Sequence, residues 1–402
     1  MKIGRMRALS ARATAMALGL VACGGGAGTS ADAGLPQTAA LSATAALGDK
    51  IFCDLMLSAS GQQPCTSCHS AANAHGPASR LAVQPGGSQL ELSGRRNTPS
   101  INYAAFTPAF SLAADATPSG GQFLDGRADS LQAQAAQPFT NPTVMANAGP
   151  AEVMAKLARA PYADAFKKVF GVDILSRPEA AFEHITLALQ QFQCEDTGFR
   201  PFTSKYDEFL RGNLSLSAQE LRGLAGFNAP NKGNCAACHP SARAADGSLP
   251  LFTDFSYDNL GVPRNSAITR NADPQYFDLG LCDRPELVGR STLCGAFKVP
   301  TLRNVALRRA LFHDGRFATL KEALTFYVQR DTQPEKFYPL AADGSVRQFD
   351  DLPPPYRANV NTREAPDNRR PGDAPAEIDA EIDAEIDDVI AFLAKLTDGY
   401  WR

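Results

Sequence analysis

One five-residue pattern occurs twice in this chain of 402 residues and constrains its fold more than any other feature. Residues 65–69 read Cys-Thr-Ser-Cys-His, and residues 235–239, 170 positions later, read Cys-Ala-Ala-Cys-His. Cys-x-x-Cys-His is the attachment signature of a c-type heme, in which two thiols hold the porphyrin edge and the histidine binds the iron. A redox cysteine pair or half of a zinc site would each need an accidental histidine twice. We therefore expect two covalently bound c-type hemes, held by Cys65, Cys68 and His69 and by Cys235, Cys238 and His239.

The segments around these motifs predict a mainly α fold with long loops. Short segments with helical spacing of apolar residues alternate with loops rich in Gly, Pro and Asn, and few segments alternate as strands do. Before the second motif, Ser217 and Glu220 form a capping box that predicts the start of a helix. Because each motif follows such a helix, we expect two cytochrome c-like heme domains in tandem, residues 46–205 and 206–402.

The N-terminus predicts export. A basic segment precedes an apolar stretch, residues 13–22, that is too short to span a bilayer permanently. We expect residues 1–22 to be a signal peptide, and residues 20–23 resemble the lipobox of bacterial lipoproteins. Lipidation of Cys23 would then anchor the protein in the periplasm, at the outer membrane, through a flexible tether of residues 23–45. The alternative is an ordinary cleaved signal in which Cys23 is incidental.

The net charge and the hydropathy of the chain limit which kinds of partner we expect it to bind. The formal net charge is −3, and no segment combines clustered Lys and Arg with aromatic residues. Nucleic acid is therefore not an expected partner. No apolar stretch after the signal is long enough to cross a bilayer, so we expect membrane contact through the lipid anchor alone.

Four of the nine cysteines remain after the hemes and the lipid are assigned. Cys282 and Cys294 flank a loop of eleven residues, and an exported protein would oxidise such a pair. We expect a disulfide between them. Cys53 and Cys194 either form a second disulfide or remain buried thiols.

Several further segments accompany the heme motifs. They are Leu-Gly-x-x-Ile-Phe at residues 47–52, Arg-Asn-Thr-Pro-Ser at 96–100, Asp-Gly-Arg-Ala at 125–128, Asn-Pro at 141–142, and residues 297–315, which contain His313. With these segments, the chain resembles the family of diheme cytochrome c peroxidases and MauG over most of residues 47–400. The resemblance implies an enzyme, an oxidoreductase of the heme peroxidase type.

The resemblance also implies a ligand for the second heme. Thr319 and Glu322 form a capping box, and the helix that they predict places Tyr327 on its apolar face. In the family, the position fourteen residues after His313 supplies the sixth ligand of the second iron, which is Met in ordinary bacterial peroxidases and Tyr in MauG. A phenolate donates more electron density than a thioether and stabilises the higher oxidation states of iron. The alternative is a buried tyrosine whose hydroxyl is satisfied elsewhere.

By the same resemblance, the first heme reacts with peroxide. His69 is its proximal ligand, and Gln134 and Pro138 match the family's pocket on the other side of the ring. The sequence departs from the family at two positions. Leu124 stands where a Trp relays electrons between the hemes, and Val144 stands where an acid moves protons. Phe123 or Tyr103 would be alternative relays, because Trp401, the single Trp, lies at the C-terminus.

Two further histidines and one calcium site complete the candidate residues. His75 is either a group on the distal side of the first heme or a surface loop residue, and His184 is expected to be structural. Asn97 matches the family's side-chain ligand for a Ca²⁺ ion between the heme domains, with the backbone carbonyls of Arg308 and Ala310 as further ligands. The alternative is a structural asparagine in a turn.

The sequence thus predicts a periplasmic diheme enzyme of the MauG type. It would use H₂O₂ to form a high-valent heme state that oxidises a side chain of a partner protein. The first alternative is a cytochrome c peroxidase that reduces H₂O₂ with electrons from a small redox protein. The second is an electron-transfer module without enzymatic activity, and Leu124 and Val144 favour it.

Overall fold

The computed structural model describes residues 40–364 and 380–400. Its α-helices are α1 (Ala43–Phe52), α2 (Leu131–Thr140), α3 (Pro150–Leu157), α4 (Ala163–Phe170), α5 (Pro178–Glu195), α6 (Lys205–Leu210), α7 (Ala218–Asn228), α8 (Leu320–Gln329) and α9 (Ala380–Leu393). Three antiparallel pairs of two-residue strands join β1 (Pro85–Gly86) to β2 (Leu92–Ser93), β3 (Ser111–Leu112) to β4 (Pro118–Ser119) and β5 (Tyr257–Asp258) to β6 (Phe297–Lys298). The expected mainly α fold with long loops is confirmed.

The helices enclose two main hydrophobic cores. The first lies among α1, α2, α3 and α5 and contains the buried side chains of Ile51, Phe139 and Phe192. The second lies among α7, α8 and α9 and contains Phe227 and Phe392. Both cores belong to one compact unit. The division into domains at residue 205 stays a prediction.

The same kind of helix contact precedes each heme motif. In the first core α1 crosses α5, and a Cβ atom on Gly48 would overlap the carbonyl group of Ala188. In the second core α7 crosses α9, and a Cβ atom on Gly223 would overlap the carbonyl group of Asp388. Glycine therefore permits the close backbone approach that fixes each helix before its motif.

The predicted helix starts are confirmed in the structure. Ser217 Oγ accepts a hydrogen bond from the Glu220 amide at 3.3 Å, and Glu220 Oε2 accepts one from the Ser217 amide at 2.7 Å. Thr319 and Glu322 make the same reciprocal pair at the start of α8. Both capping boxes satisfy backbone donors that a helix start leaves free.

The structure shows the bonding state of Cys282, Cys294 and Cys53. Cys282 and Cys294 form the expected disulfide, with Cα atoms 4.7 Å apart. Cys53 is an exposed free thiol, so it is not bonded to Cys194.

Most of the N-terminal predictions concern residues outside the described ranges. The signal peptide of residues 1–22, Cys23 and most of the tether belong to that part, as does Trp401. The folded chain begins earlier than expected, because α1 starts at Ala43 with Ser42 as its cap, within the predicted tether of residues 23–45. In the part of the chain that the structure describes, no helix is both long and apolar enough to cross a bilayer.

Candidate active site

Both Cys-x-x-Cys-His motifs face one cavity of about 1030 Å³. All six expected attachment residues line it, namely Cys65, Cys68, His69, Cys235, Cys238 and His239. Its walls come from the loops after each motif and from α2 and α8. The two motifs, which lie far apart in sequence, therefore open into the same interior space.

The first motif forms a short 3₁₀ turn that presents its histidine to the cavity. The turn covers Cys65–Ser67, and the His69 amide donates to the Cys65 carbonyl at 3.0 Å. His69 Nδ1 lies 3.0 Å from the backbone carbonyl of His75. Nδ1 therefore carries the proton and Nε2 keeps its lone pair for a metal. Burial lowers the pKa of His69 to about 4, which keeps the ring in the neutral form that binds iron.

His75 has neither of the two roles that the sequence left open. Its side chain is buried, its Nδ1 lies 2.7 Å from Asn102 Oδ1, and its ring stacks on Phe199 with centroids 4.0 Å apart. It does not line the cavity, so it is neither a distal group nor a surface residue. Its carbonyl oxygen instead orients His69, a backbone role for which the sequence carries no signal.

The second motif repeats this geometry with a different partner. Its 3₁₀ turn covers Cys235–Ala237, and His239 Nδ1 lies 2.7 Å from the backbone carbonyl of Phe252. Burial lowers the pKa of His239 as well. Two thiols beside a neutral, oriented imidazole, present twice on one cavity, fit two c-type hemes.

Tyr327, on α8, lines the cavity beside the second motif. Its hydroxyl makes no hydrogen bond to any residue that the structure describes, which removes the alternative of a hydroxyl satisfied elsewhere among them. Burial raises the pKa of Tyr327, and the nearby Asp258, Cys235 and Cys238 raise it further. The phenol oxygen therefore depends on a group within the cavity for its partner.

No methionine is placed to compete with Tyr327 among the described residues. The last methionine of the chain is Met154, in α3. The cavity wall contains Met145, which is buried in the first core. Tyr327 is therefore the candidate sixth ligand of the second iron.

The cavity wall also contains the residues predicted for the pocket of the first heme. Gln134 and Pro138 lie on α2 and line the cavity, and the Gln134 side chain has no hydrogen-bond partner among the described residues. Leu124 and Val144 line the same cavity. The two departures from the family pattern therefore make this wall apolar where a relay and an acid were expected.

The two alternative relays also reach the cavity. Phe123 lines it beneath the guanidinium of Arg127, whose central carbon lies 3.5 Å from the ring centroid. Tyr103 lines it from the junction of the two cores, and its hydroxyl donates to Asp398 Oδ2 at 2.8 Å. Both aromatic rings therefore line the cavity that the two motifs share.

Lys298 is a half-buried titratable group on the cavity wall that the sequence did not single out. Its Nζ donates to the Gly121 carbonyl at 2.5 Å, and its amide donates to the Leu124 carbonyl at 2.8 Å. Burial lowers the pKa of Lys298 to about 8. The sequence signal for Lys298 was its position within residues 297–315, one of the segments that carry the family resemblance.

His313 closes the cavity beside a pair of carboxyl groups. Its ring stacks on Phe297 with centroids 3.7 Å apart, and burial lowers its pKa to about 4. Asp314 is buried, and its Oδ2 atom has no hydrogen-bond partner among the described residues. Burial raises the pKa of Asp314, and it raises that of the neighbouring Asp351 to about 7. His184 lies elsewhere, stacked on Phe170, and does not line the cavity.

The expected calcium ligands do not fit a calcium ion as they lie. Asn97 Nδ2 donates to the Ala310 carbonyl at 2.8 Å, and Asn97 Oδ1 accepts from Arg308 Nη2 at 3.0 Å. The side-chain oxygen thus faces a positive charge, and one of the two carbonyls is already an acceptor. A hard cation needs several converging oxygens with free lone pairs. As they lie, Asn97 and Ala310 are bonded within the polypeptide, and calcium binding stays a prediction.

Comparison with known proteins agrees with this geometry. The family model described as "Di-haem cytochrome c peroxidase" matches residues 42–215. The methylamine utilization protein MauG of Paracoccus denitrificans is 40% identical over 294 residues, which cover 71% of this chain and 74% of that protein. The chain belongs to the di-haem cytochrome c peroxidase family. Membership in the di-haem cytochrome c peroxidase family makes it an oxidoreductase of the heme peroxidase type with two heme cofactors, as expected from the sequence.

Two more relatives place the chain within the di-haem cytochrome c peroxidase family. Cytochrome c551 peroxidase of Nitrosomonas europaea is 32% identical over 280 residues, covering 70% of this chain and 71% of that protein. The crystal structure of the diheme peroxidase BthA from Burkholderia thailandensis E264 matches with a TM-score of 0.80 at 38% identity, covering 89% of this chain and 86% of that one. The family therefore includes relatives named as MauG and relatives named as peroxidases.

Proposed function

We propose that this protein uses H₂O₂ to oxidise a side chain of a partner protein, in the manner of MauG. The observation that carries the proposal is Tyr327, which faces the cavity beside Cys235 and Cys238 with no hydrogen-bond partner among the described residues. A phenolate ligand lowers the potential of the second heme, so that this heme holds oxidising equivalents rather than accepting electrons from a carrier. The 40% identity to MauG of Paracoccus denitrificans supports the same branch.

Each residue of the site has a defined task in this proposal. When bound, the hemes supply the reaction with H₂O₂ and the storage of two oxidising equivalents. Cys65, Cys68, Cys235 and Cys238 attach them covalently, and His69 and His239 ligate the irons. Gln134 offers an amide donor to the bound oxidant at the first heme.

We place the enzyme in the periplasm, lipid-anchored through Cys23. The N-terminal sequence predicts export, and this agrees with two c-type hemes, because such hemes are attached outside the cytoplasm. The substrate is then an exported protein, and its oxidised side chain reaches the enzyme surface rather than the buried cavity.

Two other functions make different predictions. A cytochrome c peroxidase would accept electrons from a small redox protein, as the name of the Nitrosomonas europaea relative suggests. An electron-transfer module would not react with peroxide, and the apolar Leu124 and Val144 on the cavity wall favour this candidate.

Addition of H₂O₂ to the purified diferric protein separates the three functions. We expect the ferric EPR signals of both hemes to fall together, with a stable change in the optical spectrum and no added electron donor. Spectra that stay unchanged with both irons six-coordinate would leave electron transfer alone. A response that appears only after reduction of the second heme would identify a cytochrome c peroxidase.

Tyr327→Phe tests the ligand itself. Axial ligands tune heme potentials over a range of roughly 0.8 V, so we expect the second heme's potential to rise by on the order of 0.1 V or more and its EPR signal to change. Tyr338→Phe is the matched control, because Tyr338 is buried in the second core and donates to the Gly261 carbonyl but does not line the cavity. An unchanged signal and potential in Tyr327→Phe would contradict the assignment.

A further inference from the structure

The place expected for a calcium ion contains an arginine side chain. Arg308 follows a 3₁₀ turn, Val305–Leu307, and its guanidinium reaches back to the loop of residues 97–98. Nη2 donates to Asn97 Oδ1 at 3.0 Å and to the Thr98 carbonyl at 2.6 Å. Two oxygens that would suit a hard cation are thus bonded to a cation of the chain itself.

The orientation of the Asn97 amide is set by its partners. Nδ2 donates to the carbonyls of Ala310 at 2.8 Å and Phe312 at 3.2 Å. Exchanging the oxygen and nitrogen positions would set Oδ1 against two carbonyl oxygens and Nδ2 against the guanidinium. Both contacts would be repulsive, so Asn97 Oδ1 is held toward Arg308.

The positive charge of Arg308 has no carboxylate partner among the described residues. Burial lowers the pKa of Arg308 to about 10, so the side chain still carries its charge at neutral pH. Its Nη1 atom is buried without a hydrogen-bond partner among those residues. A buried cation with a free donor calls for an acceptor that the polypeptide does not supply.

The surroundings of Nη1 indicate where that acceptor belongs. Arg308 and Asn97 both line the cavity that the heme motifs share. A Cβ atom on Gly76 would overlap Nη1, so the absence of a side chain there leaves room for the guanidinium. Gly76 follows His69 by seven residues and directly follows His75, whose carbonyl orients the His69 ring. Arg308 therefore lies close to the first motif.

We propose that the Arg308 guanidinium is the resident cation between the two heme motifs, and that the enzyme binds no calcium there. The acceptor that suits its free Nη1 donor is a carboxylate of a cofactor in the cavity, and heme propionates are of this class. A second cation on Asn97 Oδ1 would meet the guanidinium at close range and be repelled. The proposal does not depend on the peroxide chemistry.

The wild-type holoprotein gives the first test. We expect well under one calcium per chain by elemental analysis after equilibration with CaCl₂ and desalting. EGTA should leave the optical and EPR spectra of both hemes unchanged. One tightly held calcium per chain, with spectra that change on its removal, would overturn the proposal.

Arg308→Ala gives the second test, with Arg308→Lys as the control that keeps the charge. Removal of a positive charge near the first heme favours the more positive ferric form, so its midpoint potential should fall in Arg308→Ala and recover largely in Arg308→Lys. The alanine variant also frees Asn97 Oδ1, and its calcium affinity should rise by at least about tenfold over wild type. An unchanged potential together with an unchanged calcium affinity would overturn the assignment.

Discussion

We call the residues up to 205 the first half of the molecule and the later residues the second half. The two halves present their motif histidines in the same way but differ in the other side chains that line the cavity. In each half a helix with a close glycine contact precedes the motif, the motif forms a 3₁₀ turn, and a backbone carbonyl orients its histidine. Across the cavity the first half offers Gln134 and Pro138 on α2, with Leu124 and Val144 beside them. The second half offers Tyr327 on α8.

The difference shows where chemical specificity arises in this fold. The proximal side needs only attachment and a neutral imidazole, and a short motif supplies both. The distal side decides whether the iron binds an outside molecule or a protein ligand. A ten-residue helix from elsewhere in the chain brings a different side chain to the cavity near each motif, so the same motif can serve two purposes.

The same contrast appears in the buried carboxyl groups. In the first half, burial alone would raise the pKa of Asp125, but Arg96 and Arg127 lower it. In the second half, burial raises the pKa of Asp314, and it raises that of Asp351 to about 7 despite Arg264. Asp125 is therefore kept ionised, whereas burial favours the protonated forms of Asp314 and Asp351.

The largest expected effect comes from removing the amide donor of the first half. Gln134→Leu should slow the reaction with H₂O₂ by on the order of 100-fold, because a positioned donor at a developing negative charge is worth this much. Stopped-flow absorbance at the Soret band measures the rate. Gln132→Leu is the control, since Gln132 is on the same helix but donates to the Glu183 carbonyl away from the cavity. Equal rates in both variants would remove Gln134 from the peroxide site.

A smaller effect is expected when a carboxyl group is introduced into the cavity wall of the first half. Val144→Glu places a carboxyl group on the cavity wall and should accelerate the peroxide reaction by about tenfold or more, since general acid–base help is worth at least that. Val144→Gln has nearly the same shape without the acid and serves as the control. If both variants match wild type, the missing acid does not limit the reaction.

The smallest effect concerns the pH dependence of stability. A carboxyl group with a pKa near 7 in the folded protein and about 4 in the unfolded chain stabilises the fold at low pH, and this contribution is lost as pH rises from about 4 to 7. Asp351→Asn should therefore be more stable than wild type by on the order of 2 kcal/mol at pH 8 and nearly equal to it at pH 4. Urea unfolding across this range measures the difference.

The control for this prediction is an exposed carboxyl of the same half. Asp343→Asn changes a side chain whose pKa is lowered by hydrogen bonds from Ser345, so no gain in stability at pH 8 is expected. A gain of equal size in both variants would show that overall charge, rather than burial of Asp351, sets the pH dependence.

Features that depend on neighbouring residues were predictable from the sequence. The two motifs, the capping boxes at Ser217 and Thr319 and the Cys282–Cys294 disulfide all join groups within twelve positions of each other. Short loops bring such groups together at little entropic cost, so the spacing alone carries the information. The inward face of Tyr327 followed from helical periodicity for the same reason.

Features that depend on distant segments were not predictable. The buried position of His75 depends on Asn102 and Phe199, and the amide oxygen of Asn97, expected as a calcium ligand, accepts a hydrogen bond from Arg308, 211 positions later. The sequence by itself determined two heme motifs, a mainly α fold and the helices that carry Gln134 and Tyr327. The tertiary structure alone decided that both motifs share one cavity and that an arginine lies in it, because such contacts depend on how the two cores pack together.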